Sequence, residues 1–421
     1  MSAFYLYLAV FGLFFILGVP IVISLALGGL ALLVTKDVPL TVFAQQWLMS
    51  TDNFSLTAIF FFMLAGELMN IGGLTKRIVG AASKVVGNRP GGLAMVVSVA
   101  SMFFAAINGS AIATAAAIGS MMIPAMVKEK YSPGFSGAVV GAGGVIGPII
   151  PPSIPMIVYA TITGVSISKM FVGGMGLGIL LGLIQLTISY FICKKRGYSG
   201  SGSGYLEKPK GTIWALLLPV FLFVTIAFGI LTPTESSAVA CVYAFIISKF
   251  IYKELDLKKI PKVIQKSFFS TATVMAVVGA ASVAAWILTA EQIPQTVAKA
   301  IISFVHTPTQ FMILTFVVLI IVGMVMDLTP AIMILAPVFI EPVKLFGINP
   351  IYFGVFFVAT LVTGLITPPV GTLIYTSCSM TGESFTEGTK ELIPYAVASL
   401  FVILLSIAFP QIISFLPSII G

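Results

Sequence analysis

Long stretches without charge constrain this chain more than any other feature. Phe4–Leu33, Phe54–Leu68, Leu93–Met126, Val172–Phe191, Trp214–Ile230, Ala238–Ile247 and Tyr395–Phe409 are nearly free of Asp, Glu, Lys and Arg. Several reach the roughly 20 apolar residues that one helix needs to span a bilayer core. The whole chain is 58% hydrophobic and 9% charged, with a mean hydropathy of +1.12. No soluble fold requires that composition, so the expected class is an all-α polytopic membrane protein, with the lipid bilayer as its solvent. Phe4–Leu33 is too long for a signal-peptide core and lacks a basic start and a small-residue cleavage site.

A net charge of +8 would suggest nucleic acid in a soluble protein. Here it reads as basic loops on the cytoplasmic face, with no nucleic-acid partner. Cys193, Cys241 and Cys378 are far apart and define neither a disulfide framework nor a metal site. One histidine, His306, lies in an expected loop. It cannot build a Ser/His/Asp set or a transition-metal centre, so hydrolase and zinc-enzyme readings fall away.

The two halves resemble each other. "NGSAIATAAAIGSMMIP" from Asn108 reads beside "DLTPAIMILAPVFIEP" from Asp327, and "YSPGF" from Tyr131 beside "INPIYF" from Ile348. "IIPPSIPMIVYATITG" from Ile149 reads beside "ITPPVGTLIYTSCSMTG" from Ile366. Asn108 and Asp327 are 219 residues apart, Pro133 and Pro350 are 217 apart, and Pro151 and Pro368 are 217 apart. Pro20 and Pro233 make a weaker pair. Apolar residues match cheaply, but paired prolines and polar clusters do not, so a duplication is expected. The first repeat is then 1–196 and the second 212–421, joined by a Gly/Ser-rich cytoplasmic linker, 197–211.

Basic residues orient the chain. With the linker inside, 18 of the 22 Lys and Arg fall inside and only Lys36, Lys169, Lys299 and Lys344 outside. The two repeats then have inverted topology, which marks secondary transporters with a site at the repeat interface. Symmetry asks for two crossings in Phe4–Thr35. A single tilted helix is the alternative for so short a stretch. Arm helices are expected at 76–87 and 294–305, on opposite membrane faces. In the first, Ile78, Val79, Ala82, Val85 and Val86 share an apolar face while Lys76, Arg77 and Lys84 reach for headgroups.

Each half also contains a re-entrant hairpin followed by an interrupted crossing. The inner hairpin is 91–127, with its tip at Ala106–Ala111, and the broken helix after it is 135–163. The outer hairpin is 309–342, with its tip near Gly323–Pro330, and its broken helix is 351–381. The interruptions are "GPIIPP" and "ITPPVG". Non-helical backbone at membrane depth survives only where protein buries it or a watery cavity lines it. Such breaks free carbonyls for a cation and N–H groups for an anion. Polar residues gather at both: Asn108, Ser110, Thr114 and Ser153 in one half, Asp327, Thr329, Thr367 and Thr372 in the other. Ser110, Ser153, Asp327, Thr329 and Thr372 are the substrate candidates. Because no Lys or Arg is expected near these clusters, an anionic substrate would meet helix N-termini, hydroxyls and bound cations. Glu67 and Glu235 read as structural pairing or helix-start residues. The alternative, prolines that merely kink packed helices, does not explain matched polar clusters. Trp47, Trp214 and Trp286 read as interface anchors.

At these residues the chain resembles the large membrane subunit of tripartite ATP-independent periplasmic (TRAP) transporters. The likeness shows in "FFMLAGELMNIGG", "AAINGSAIATAAAIG", "GPIIPPSIPMIVYA", "LTPTESSAVA", "MDLTPAIMILAP" and "TGLITPPVGTLIY". It implies sodium-driven uptake of an organic acid such as a C4-dicarboxylate or sialic acid. An elevator-type fold and motion, a periplasmic substrate-binding protein, a small membrane subunit and residence in a bacterial inner membrane are implied with it. Na+ is the coupling ion, and no other cofactor or enzyme activity is implied. Carried onto matching positions, one sodium site falls on Ala105, Asn108, Gly147, Ile150 and Pro152. The other falls on Gly323, Gly364, Thr367 and Val370. Several of these are apolar or glycine, so main-chain carbonyls would be the ligands; relatives often carry serine where this chain has Ala105 and Asn108. A self-sufficient sodium/carboxylate symporter is the alternative. A channel would need a continuous polar lining that is not visible, and no phosphate-cradling loop points to ATP.

Overall fold

Proline, glycine and small hydroxylated residues cut the apolar runs into helices. The computed structural model describes residues 2–198 and 211–420. Among these it forms twenty α-helices and no strand. The first repeat supplies α1 (Ser2–Ile16), α2 (Ile21–Thr35), α3 (Thr41–Thr51), α4 (Phe54–Ile71), α5 (Leu74–Val86), α6 (Gly92–Asn108), α7 (Ala111–Lys128), α8 (Pro133–Ile146), α9 (Ile154–Thr163) and α10 (Ile167–Arg196). The second supplies α11 (Thr212–Ala227), α12 (Pro233–Ile246), α13 (Ile260–Ala290), α14 (Ile293–Phe304), α15 (Pro308–Val325), α16 (Leu328–Leu345), α17 (Pro350–Gly364), α18 (Thr372–Thr381), α19 (Phe385–Ala408) and α20 (Gln411–Ile420). Most of the 197–211 linker lies outside the described residues.

Helix starts follow local chemistry. Ser132 caps α8 ahead of Pro133, and Thr307 with Gln310 forms a capping box on α15. Thr232 and Glu235 do the same for α12. There the Thr232 N–H and hydroxyl both donate to the Glu235 carboxylate, each at 2.8 Å.

Phe4–Thr35 is two helices, not one tilted helix. The chain turns at Gly18, whose φ is +77°, and restarts after Pro20. With 15 residues each, α1 and α2 are about 22 Å long. They close as a hairpin in which the Tyr7 ring lies over Gly28.

The molecule has two repeats of inverted topology. In order, α1, α2, α5, α6, α7, α8, α9 and α10 correspond to α11, α12, α14, α15, α16, α17, α18 and α19. The single helix α13 stands where the first repeat has α3 and α4, split at Asp52–Asn53. The register at the hairpins differs from the one read in the sequence. Ser110 caps α7 and Asp327 caps α16, so Asp327 matches Ser110, 217 residues away. The offset of 219 from Asn108 paired the wrong polar residue, because two polar side chains flank the tip glycine and either could start a helix.

Two bundles share these elements. One packs α1–α5 with α11–α14: α2, α3 and α4 lie on α13, and α4 on α12. The other packs α6–α10 with α15–α20: α8 lies on α18 and α19, α15 on α17, and α9 on α16. They meet where α6 touches α5 and α4, and where α16 touches α13 and α14.

On α5, Ile78, Val79, Ala82 and Val86 are buried, as an amphipathic helix requires. Two positions depart from expectation. Val85 is exposed, and Arg77 is buried. Arg77 does not reach for headgroups: its guanidinium lies 3.5 Å from the Tyr252 ring centroid and 2.8 Å from Glu254. The Tyr252 ring and the Glu254 carboxylate offset its desolvation, which an aliphatic face could not do.

Candidate functional site at two helix tips and two helix breaks

Each hairpin tip is tied to the break that follows it. In the first repeat, Ile154 N–H donates to Gly109 O at 3.4 Å. Gly109 has φ +63°, and a Cβ there would lie 2.5 Å from Pro152 O, so both the turn and the close approach demand glycine. In the second repeat, Gly371 N–H donates to Met324 O at 3.2 Å. A Cβ on Gly323 would lie 2.5 Å from Leu361 O and 3.2 Å from the Gly364 Cα.

Prolines open the breaks by removing donors. Pro151 and Pro152 cannot donate to Gly147 and Pro148, nor Pro368 and Pro369 to Gly364 and Leu365. The Pro151–Pro152 and Pro368–Pro369 peptides are both cis. Some freed carbonyls find partners: Pro148 O accepts the Ser153 hydroxyl, Gly364 O accepts Thr367 N–H at 2.9 Å, and Leu365 O accepts Leu373 N–H at 3.1 Å. The Gly147 carbonyl has no donor among the described residues.

All five residues of the first expected sodium site meet at this junction. Ala105 and Ile150 share one small apolar cluster, Gly109 holds Pro152 against Asn108, and Gly147 lies against Ser110 O. The Asn108 side chain lies against Gly66 of α4, where a Cβ would be 3.0 Å from its Oδ1; its main-chain carbonyl remains the ligand expected of it. Beside Gly147 the Thr114 hydroxyl is buried without a partner among the described residues. An open carbonyl and an orphaned hydroxyl are the donors a hard cation takes. Of the second expected site, Gly323 and Gly364 touch, and the Thr367 hydroxyl donates to Thr363 O at 2.9 Å. Its oxygen keeps a lone pair for a cation. Val370 stands where the first repeat has Ser153, so only its main chain can contribute.

A cavity of about 600 Å³ lies between the bundles. Asn108, Gly109, Ser110, Pro148, Ile154, Pro155, Asp327 and Thr329 line it on one side. Three helices, α7, α9 and α16, begin at its wall, aiming the positive ends of their dipoles into it. Of the substrate candidates, Ser110, Asp327 and Thr329 line this cavity. Ser153 is fully buried, capping α9 through Met156 N–H. Thr372 lies at the start of α18, its hydroxyl without a partner among the described residues.

Sequence reasoning missed the opposite wall. It is built by α4 with Gly66, Glu67 and Asn70, and by α13 with Lys266, Ser270 and Thr273. The expectation that no fixed cation stands near the polar clusters is therefore overturned. Lys266 lies in the lysine-rich stretch just ahead of an apolar run, but α13 begins at Ile260 and carries it into the cavity. Glu67 pairs with it at 2.6 Å. Trp286 lines a second cavity, of about 550 Å³, nearer the other end of α13, and Trp47 packs over Gly279 of the same helix; neither is simply an anchor.

Paired breaks, inverted repeats and a polar cavity between two bundles define a secondary-transporter fold. Its backbone is shared with the YdaH transporter of Alcanivorax borkumensis, at a TM-score of 0.65 and 13% identity over 87% of this chain and 86% of that one. MtrF of Neisseria gonorrhoeae has the same fold, at a TM-score of 0.61 and 14% identity over 87% and 83%. Residues 8–412 match the family model for the tripartite ATP-independent periplasmic transporter, DctM component. A putative TRAP transporter large permease of Haemophilus influenzae is 38% identical over 403 residues, 94% of this chain and 95% of that protein. The 2,3-diketo-L-gulonate TRAP transporter large permease of Escherichia coli is 36% identical over 402 residues, 94% and 95% of the two chains. The sialic acid TRAP transporter large permease of Vibrio cholerae is 33% identical over 407 residues, 96% and 95%. The chain belongs to the DctM family of TRAP transporter large permeases, multi-pass proteins of the bacterial inner membrane.

Proposed function

We propose that this chain is the transport subunit of a sodium-coupled importer of an organic acid. The carrying observation is the division of charge at the breaks. Helix C-termini of α6, α8, α15 and α17 bring carbonyl oxygens to the two tip–break junctions, where a cation is stabilised. Helix N-termini of α7, α9 and α16 face the cavity, where an anion is stabilised. Sodium bound at the junctions fixes the tips, and fixed tips hold the N-termini at the acid's carboxylate.

The motion is an elevator: the bundle of α6–α10 and α15–α20 carries the site along the bundle of α1–α5 and α11–α14. Support comes from α13, whose successive turns line the two cavities. The larger cavity extends along α7 toward Lys128, the side that the basic residues mark as cytoplasmic, so this is the inward-open state. Substrate arrives on a periplasmic binding protein, which shifts the equilibrium by binding the outward state better. A small membrane subunit extends the stationary bundle. An organic acid as the cargo is supported by the substrates named for relatives, C4-dicarboxylate, sialic acid and 2,3-diketo-L-gulonate.

Proteoliposome uptake of labelled acids, with the chain alone, with the small subunit and with both partners, tests this reading. Uptake should require sodium and both partners. Equal uptake with potassium removes the coupling, and sodium-driven uptake by the chain alone makes it a self-sufficient symporter.

A further inference from the structure

The cavity has two walls of different kind. One is made of helix tips, which the proposed motion carries away. The other belongs to α4 and α13, and it presents a polar strip: Lys266, Ser270 and Thr273, at one-turn spacing on α13, beside Glu67 and Asn70 of α4. Charges in an apolar chain are costly at membrane depth and are kept where they act. The Lys266 and Glu67 side chains approach to 2.6 Å, yet they are unequally placed: the Lys266 side chain is 65% exposed and that of Glu67 22%.

We infer that Lys266 is a specificity-determining residue, the stationary counter-charge for an anionic group of the substrate in the inward-open state, and that Glu67 is its positioning partner. The inference rests on the proposed organic-acid transport. An ammonium has three donors, and Glu67 takes one of them, so a substrate carboxylate can take another without breaking the pair. The carboxylate of Glu67 also competes for the same ammonium. It thereby limits how tightly the acid is held on the side where it must leave. Ser270 and Thr273 extend the strip with hydroxyls suited to the polar remainder of such an acid.

A strut that merely joins α4 to α13 and an anion contact make opposite predictions. For the strut, K266M and E67Q are equally harmful, and the swap E67K/K266E restores function. For the anion contact, K266M raises the KM for acid tenfold or more at saturating sodium with kcat within about twofold. K266R stays near wild type, E67Q lowers KM, and the swap does not rescue, because the positive charge has moved to the other helix. The measurement is initial uptake of labelled succinate and N-acetylneuraminate by the complete reconstituted transporter. An unchanged KM in K266M, or rescue by the swap, overturns the inference while leaving sodium-coupled transport intact. A wild-type protein without sodium-driven uptake overturns the transport reading instead. The assignment of Lys266 is then decided by thermal stabilisation of the purified chain with the same two acids. Stabilisation that K266M abolishes and K266R keeps supports it; stabilisation equal in K266M, or none in wild type, overturns it.

Discussion

The two tip–break units share a topology and differ in nearly everything else. In the first, the tip from Ala105 to Gly109 and the break from Gly147 to Ser153 are all buried. In the second, Val325 and Asp327 at the tip and Pro368 and Pro369 at the break are exposed. Their packing differs as well. Helix α8 carries five glycines in 14 residues, and its neighbours come close to its backbone, as Ser101 does at Gly143. Its counterpart α17 carries Tyr352, Phe353, Phe356 and Phe357 in 15 residues; Phe353 stacks on Phe311 and packs tilted against Phe339, and Phe357 packs tilted against Tyr159. A duplicated backbone has thus been filled once with small residues and once with rings. The difference in filling belongs to the sequence, and whether the difference in exposure follows the transport state is read by labelling.

Substitutions at matched positions separate those two causes. The largest effect is expected at the tips. Gly109→Ala places a side chain at φ +63° against Pro152 O. The left-handed backbone alone costs about 1–2 kcal/mol, and the overlap adds to it, so uptake should be lost. Met326, its counterpart, is extended at φ −117°, and Met326→Ala should keep most uptake. Next come the fillings. Phe357→Ala should lower stability by about 3–5 kcal/mol, and Val140→Ala, 217 residues earlier, by clearly less. Thermal unfolding of both purified variants checks this; equal losses would erase the packing distinction.

A smaller effect concerns exposure. Thr367→Cys should react at least tenfold faster with a water-soluble maleimide than Ile150→Cys, since Thr367 is half-buried and Ile150 is 2% exposed. Conditions that hold the transporter outward-open should narrow that ratio. A ratio fixed in both states would assign the exposure to sequence rather than conformation. The smallest effect is a cap. Ser153→Ala removes the acceptor for Met156 N–H at 3.2 Å and should cost about 1 kcal/mol. Val370→Ser at the matched position should change stability by less than about 0.5 kcal/mol.

What could be read without coordinates depended on how local each signal is. Duplication and breaks were legible because Pro151, Pro152, Pro368 and Pro369 remove donors wherever they stand, and the fold that follows from them is present. The hairpin register was not, since choosing between Asn108 and Ser110 as the helix start needs the tip's backbone. Two helices in Phe4–Thr35 could be inferred from Gly18 and Pro20 only by accepting spans of 15 residues, shorter than a bilayer core. The cavity wall was hidden for another reason. Lys266 sits among other lysines in "LDLKKIPKVIQK", and nothing local distinguishes a solvated loop from the first turns of a long helix. Only the packing of α4 on α13 brings Glu67 to it.

The sharing of each bundle between the repeats bears on how the molecule is made. Helix α8 leaves the ribosome with its partners α18 and α19 still unsynthesised, since Ile146 and Thr372 are 226 residues apart. At 5–20 residues per second that separation is about 11–45 seconds. Throughout that interval the glycine-lined face of α8 lacks the α18 residues Leu373, Ser377 and Thr381 that lie against Gly137, Gly141 and Gly144 in the finished fold. The first repeat is therefore no autonomous folding unit: it is a half-built interior whose other half is its own inverted copy, and the insertion machinery must shelter it until that copy arrives.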